Sequence, residues 1–243
     1  MHGPARQKNL VSVVIPAYRE VDSLDQLLSE LHAALDGMDA PFEIVMVDDG
    51  SGDGTAERLL EASRHDPRIR PVLIESRSGQ SAALAAGLLR SGGEIIVTMD
   101  ADLQNDPADI PRLLAELETA DVVSGIRRDR HDTWIRLASS RIANGVRRAV
   151  LGDPVTDIGC SLKAYRREAL EALPLFVGAH RFLPALCVLR GARYREVDVR
   201  HRPRAHGASK YGVANRMWRG LADLVGVAWL KARLVRYRVR QVD

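Results

Sequence analysis

Two hydrophobic periods alternate along the first half of the chain. Short apolar runs rich in β-branched residues lie at residues 10–15, 42–47, 69–75 and 94–99, with a briefer one at 121–124. Their length and composition predict buried strands, and Pro16 is expected to stop the first. Between them the spacing lengthens. Residues 23–35 carry Leu24, Leu27, Leu28, Leu31 and Leu35, which fall on one helical face. Residues 55–64, 81–90 and 109–118 read as further helices, the last with Pro111 near its start. This β-α-β-α order predicts an α/β fold, a Rossmann-like, mostly parallel sheet covered by helices. The second half is less regular. Residues 134–151 predict an amphipathic helix bearing arginines, 166–173 a short helix, 193–200 a strand, and 217–236 a final amphipathic helix.

Composition narrows the picture. The 243 residues are 46% hydrophobic, enough for one large core. The net charge of +3 hides an uneven spread: residues 190–243 hold 14 Arg or Lys against 4 Asp or Glu, leaving the remainder at −7. A basic tail on an acidic body points to an anionic surface or substrate near the C-terminus. Cys160 and Cys187 are too few for a disulfide scaffold and fit a reduced setting. The polar start is not a secretory signal, and no apolar run reaches the ~20 residues that span a bilayer. A soluble or peripheral protein is therefore expected.

The candidate chemistry lies where the strands end, since ligands of open α/β sheets sit beyond those ends. Acidic or Gly-rich clusters stand there at Asp48-Asp49, Gly79 and Asp100-Asp102. In the stretch TMDADLQND, alternation would turn Asp100, Asp102 and Gln104 to one side and Ala101 and Leu103 to the other. Three such oxygen ligands suit Mg2+ or Mn2+; the alternative is a solvated loop with helix-capping aspartates. DDGSGDG at 48–54 resembles a phosphate loop, but Thr55 stands where a dinucleotide fingerprint needs glycine. Its aspartates suit base N–H groups and ribose hydroxyls, or cap the next helix. No Walker-type sequence is present. A nucleotide with its base near Asp48 and its diphosphate near Asp102 makes the arrangement intelligible. The metal would bridge the phosphates and improve the leaving group.

VVIPAYRE at 13–20, VDDGSGDGT at 47–55 and MDADLQ at 99–104 together resemble family 2 glycosyltransferases of the GT-A fold, in the polyprenyl-phosphate branch typified by dolichol-phosphate mannosyltransferase. GQSAALAAGL, SGIRR, VTDIGCSLKAYRREAL and RAHGASKYG extend the match over residues 10 to 215. The resemblance implies a glycosyltransferase domain over 1–212 and a C-terminal amphipathic helix with a basic tail over 213–243. It implies that Pro16, Ala17, Tyr18 and Glu20 line the nucleoside pocket, joined by Asp48, Asp49, Gly79 and Asp100. Asp100, Asp102 and Gln104 would form the metal and diphosphate site. Arg127 would face phosphate, Arg136 and Ser140 would hold an acceptor phosphate together with Lys210, and Arg204 would lie in a basic loop that closes the site. Arg19 replaces a common Asn and Ile126 a common Ser, and GCSLKAY departs from the usual S-G-F pattern.

The implied reaction moves a sugar, with inversion, from a UDP- or GDP-sugar to a polyprenyl phosphate of the undecaprenyl or dolichyl type. A phosphate acceptor is already anionic, so cations such as Arg127, Arg136 and Arg204 matter more than a strong base, and Asp157 is expected to position. Transfer to a saccharide hydroxyl, with Asp157 as base, is the alternative. Nucleic-acid binding is not expected, because the basic region lacks interleaved aromatics. The final helix, with Met217, Leu221, Leu224, Val225, Ala228 and Trp229 in one stripe, is expected at a membrane surface. Relatives with appended transmembrane helices suggest a membrane-protein partner here, at the cytoplasmic, inner face of the plasma membrane.

Overall fold

A computed structural model of the chain describes residues 4–127, 134–171, 173–203 and 213–233; side chains of 134–142 and 213–219 are outside that description. Among the described residues seven strands form one sheet: β1 (Gln7–Ala17), β2 (Phe42–Asp48), β3 (Ile69–Leu73), β4 (Gly93–Thr98), β5 (Val122–Arg127), β6 (Lys163–Arg166) and β7 (Tyr194–Val199). They lie in the order β3-β2-β1-β4-β6-β5-β7. All neighbours run parallel except β6, which is antiparallel to both β4 and β5. The helices are α1 (Val21–Leu35), α2 (Thr55–His65), α3 (Gln80–Arg90), α4 (Ile110–Glu116), α5 (Trp134–Leu151), α6 (Arg167–Leu170), α7 (Ala179–Leu189) and α8 (Val213–Arg233).

Each face of the sheet carries its own core. On one, the predicted leucine stripe of α1 packs with Val13, Ile15, Ile44, Met46 and Val97. On the other, Val14, Val45 and Ile96 meet Ala83 and Leu84 of α3, Phe182, Leu183 and Leu186 of α7, and Leu224 and Val227 of α8. From β1 the chain winds one way through β2 and β3, then crosses back to β4 on the other side. The carboxyl ends of β1 and β4 thus flank a switch point, where α/β sheets leave a crevice.

Two expectations need correction. Pro16 does not end β1, which pairs through Pro16↔Val47 and Ala17↔Asp48. Pairing with β4 stops at Val14↔Thr98, and Met99 N donates back to Val14 O. Alternation aims the position of Pro16 at that same side, beyond the end of β4, so its missing N–H breaks no ladder bond. The final helix is also not one apolar stripe facing outward. Leu224 and Val227 are buried against α5 and α7, while Leu221, Val225 and Trp229, four residues apart, stay 47%, 64% and 60% exposed. Lys231 Nζ donates to Leu151 O at 2.7 Å, capping the C-terminus of α5.

Two elements were not anticipated. β6 spans four residues, KAYR, too short and too charged to announce itself. α7 is buried on nearly every face and contains Pro184. Proline removes the bond to the carbonyl four residues earlier, and that carbonyl, His180 O, instead faces Lys163 Nζ at 3.5 Å.

Candidate active site

The loops after β1, β2 and β4 converge. Arg19 sits at φ 56, a left-handed conformation in which Asn is enriched; its N–H donates to Ser51 Oγ at 2.8 Å, tying the β1 loop to the β2 loop. The Tyr18 ring lies under the Arg77 and Arg19 guanidinium groups, 4.4 and 5.5 Å from its centroid. Glu20 opens α1: Ser23 Oγ donates to its carboxylate at 3.0 Å.

Asp48 and Asp49 are both buried but differ in task. Asp48 accepts from Ser51 Oγ and, at 3.3 Å, from Ser51 N–H. Asp49 accepts from Ser78 N–H at 2.7 Å and Gly79 N–H at 2.8 Å, so each of its oxygens fixes backbone at the entrance to α3. Asp49 and Gly79 therefore fix the start of α3, whose Gln80 and Leu84 line a cleft. Gly50, at φ +67, lies so close to the neighbouring loop that a Cβ would come within 2.8 Å of Arg77 N. Only glycine permits both that conformation and that approach.

After β4 the chain leaves extended geometry at Thr98, so the alternation argument does not strictly apply. A turn with Leu103 at φ 61 replaces it. Ala101 and Leu103 are nevertheless buried in the core, while Asp100 lines a cleft. Asp102, also buried, accepts from Gln104 N–H at 3.2 Å. Gln80 Nε2 donates to Asp100 Oδ1 at 2.7 Å. Burial first, and the Asp102 charge second, push Asp100 up to about 6. Two carboxylates held together at a buried strand end repel each other, and a divalent cation relieves that repulsion. Among the described residues no group of three or more His, Cys, Asp or Glu gathers as a self-sufficient metal cage. One or two carboxylates completed by substrate phosphates is the donor set Mg2+ commonly takes, so the pair fits a metal that arrives with a diphosphate.

The opposite wall carries cations. Arg127, at the end of β5, donates from Nε and Nη2 to Asp157 at 2.7 and 2.9 Å, a bidentate pair in which Asp157 is buried and the Arg127 side chain 12% exposed. Lys163 on β6 and His180 on α7 complete a cleft of about 150 Å3 with Asp100, Gln80, Leu84, Cys160 and Ser161. Burial lowers Lys163 to about 8 and His180 to about 3. At neutral pH the lysine is therefore charged and the imidazole neutral.

The structure thus brings Pro16, Asp100, Asp102 and Arg127 into one neighbourhood, bordered by the Asp48 loop. Arg136 and Ser140 lie four residues apart on the α5 backbone, hence on one face. Arg204 and Lys210 lie outside the described residues. The chain entering that segment is anchored beside the carboxylates: Arg202 N–H donates to Gln104 O at 2.9 Å, and its guanidinium pairs with Glu30 at 2.7 Å and Asp106 at 2.9 Å. Sequence reasoning missed Gln80, Ser161, Lys163 and His180. Only Lys163 gave a signal, as one of four lysines in a chain whose Lys and Arg total 35.

The model of glycosyl transferase family 2 matches residues 12–174. The chain belongs to that family. Family 2 relatives include the undecaprenyl-phosphate 4-deoxy-4-formamido-L-arabinose transferases of Edwardsiella ictaluri, 44% identical over 205 residues, and Aeromonas hydrophila, 41% identical over 206. Each match covers 84% of this chain, which spans only 63% of either relative's length. Glucosyl-3-phosphoglycerate synthase from Mycobacterium tuberculosis, crystallised with Mn2+, UDP-glucose and phosphoglyceric acid, superposes with a TM-score of 0.67 at 20% identity, over 94% of this chain and 81% of that one. The mostly parallel sheet, with its site at the β1–β4 switch point, is accordingly a GT-A fold.

Proposed function

We propose that this family 2 glycosyltransferase moves a sugar from a UDP-sugar to undecaprenyl phosphate, inverting the anomeric centre. The observation that carries the donor side is the Asp100–Asp102 pair at the end of β4, with Asp100 lining a cleft and raised in pKa by burial and by the Asp102 charge. The acceptor rests on the 44% and 41% identical relatives, which are named for undecaprenyl phosphate. UDP is the first donor base to test, because the synthase of like fold binds it.

In this reading Asp100, Asp102 and Gln104 hold Mg2+ or Mn2+, which when bound neutralises the diphosphate and eases its departure. Pro16, Ala17, Tyr18, Glu20 and Asp48 border the nucleoside. Arg127, fixed in orientation by Asp157, presents a cation beside Asp100, and Arg136, Ser140, Arg204 and Lys210 receive the acceptor phosphate. An ionised phosphate oxygen attacks the anomeric carbon as the bond from that carbon to the nucleoside diphosphate oxygen breaks. No side chain has to remove a proton, so Asp157 is left to its ion pair. Transfer of label from UDP-sugars to extractable lipid tests this. Transfer should require undecaprenyl phosphate and stop with EDTA; transfer to a saccharide hydroxyl without lipid would refute the acceptor.

Among the described residues no helix is long and apolar enough to cross a membrane. Access to the lipid is assigned to the outward row Leu221, Val225 and Trp229, beside Arg233, whose guanidinium lies 6.0 Å from the Trp229 ring centroid. Such a face, apolar at its centre and cationic at its border, suits the cytoplasmic surface of an anionic bilayer. The protein should co-sediment with anionic vesicles, and Trp229→Glu should release it. Unchanged sedimentation of that variant would remove the face from the account.

A further inference from the structure

Lys163 is the most deeply buried charge lining the cleft. Its side chain is 3% exposed, yet its ammonium, with three donors, makes one long hydrogen bond, to His180 O at 3.5 Å. Asp157 and Asp100 are near enough to favour its charge, but neither forms an ion pair with it among the described residues. A buried ammonium left this way is destabilising unless a partner satisfies it. In a chain that otherwise uses arginine almost throughout, the cation here is the compact ammonium.

His180 supplies a second donor. Ser81 Oγ accepts from Gly178 N–H at 2.9 Å and lies 2.8 Å from His180 Nδ1; the Nε2–H tautomer is the one in which the Ser81 hydroxyl donates to that nitrogen. With Nδ1 accepting in a neutral ring, Nε2 carries the proton, and it has no partner among the described residues. Lys163 and His180 line the same cleft as Asp100. The cleft, of about 150 Å3, has room for a small ring.

We propose that Lys163, with His180 beside it, is the specificity-determining residue for the transferred sugar, selecting donors whose sugar presents an anionic or neutral oxygen and rejecting those that present a cationic amino group. This deepens the nucleotide-sugar reading and rests on it. The sugar, rather than the diphosphate, is assigned to Lys163 because it stands on β6 beside α7, the elements of the cleft that carry neither the carboxylates nor the nucleoside loops. Leu84 of α3 and Ile158, before β6, give the cleft the mixed apolar and polar lining a sugar face prefers.

Calorimetric titration of the full chain with Mn2+ and UDP, UDP-glucuronic acid, UDP-glucose or UDP-glucosamine tests the assignment. A hydrogen bond to a charged group predicts that UDP-glucuronic acid binds about 10-fold or more tighter than UDP-glucosamine. That preference is read on the unaltered protein, so it stands even if a variant fails to fold. Lys163→Met should abolish the preference and leave UDP affinity unchanged, while Lys163→Arg should retain part of it. Equal binding of the two donors by the unaltered protein would overturn the proposal. So would a Lys163→Met variant that loses UDP as strongly as UDP-sugars, since that would make Lys163 a diphosphate ligand. If UDP itself fails to bind, the nucleotide-sugar reading falls too, whereas UDP binding without sugar preference removes Lys163 alone.

Discussion

Asp102→Asn will leave a folded protein with at least roughly 100-fold less transferase activity, since even outer partners of a metal site are worth about 10–100-fold. The substitution keeps the shape of the side chain and its acceptor for Gln104 N–H, 3.2 Å away. It removes one of two anionic donors from a site where no third carboxylate, His or Cys stands ready among the described residues. It also removes the charge that helps hold Asp100 up at about 6. Asp100 should therefore fall toward the ordinary carboxylate range, and the apo variant should be no less stable than the unaltered chain. Activity and thermal midpoint measured together check both halves. A variant that unfolds, or one that keeps activity with Mn2+, would place the metal elsewhere.

The second large effect is expected at Asp157. Asp157→Ala strips the bidentate partner from a mostly buried Arg127, and breaking a buried pair on one side costs about 3–5 kcal/mol. Chemical denaturation should show that loss. The double variant Arg127→Met, Asp157→Ala should recover part of the stability, because the charge is removed together with its bidentate partner, but none of the transfer activity. This pattern separates a positioning carboxylate from a catalytic base. A base acting on an acceptor hydroxyl would instead make Asp157→Asn inactive while still folded, and would require an acceptor hydroxyl rather than a lipid phosphate.

Much of the frame was legible because it is local. The leucine spacing of α1 and the apolar runs of β1, β2 and β4 record which face each element buries, and the carboxylates at the strand ends stand out against them. Pro16 misled because whether proline breaks a ladder depends on where the neighbouring strand stops, here at Thr98. α7 was invisible for the opposite reason: with nearly every face buried it has no polar stripe, and Pro184 reads as a breaker. The pairing of Arg127 with Asp157 joins residues 30 apart, and that of Ser81 with His180 joins residues 99 apart. No spacing rule reaches so far. The family resemblance supplied the roles of Asp102 and Arg127, but Lys163 falls in the stretch where this sequence departs from the family pattern, and only the folded cleft exposes it.

The most direct test of the metal-and-nucleotide site is a thermal-shift panel of UDP, GDP and dTDP, each with and without Mn2+. Ligand that binds only the native state must stabilise it, by about 2.7 kcal/mol at 100 times its dissociation constant. The account predicts a rise in melting temperature with UDP and Mn2+ together, and little with either alone. Equal stabilisation by UDP without metal, or none by any nucleotide with metal, would contradict it.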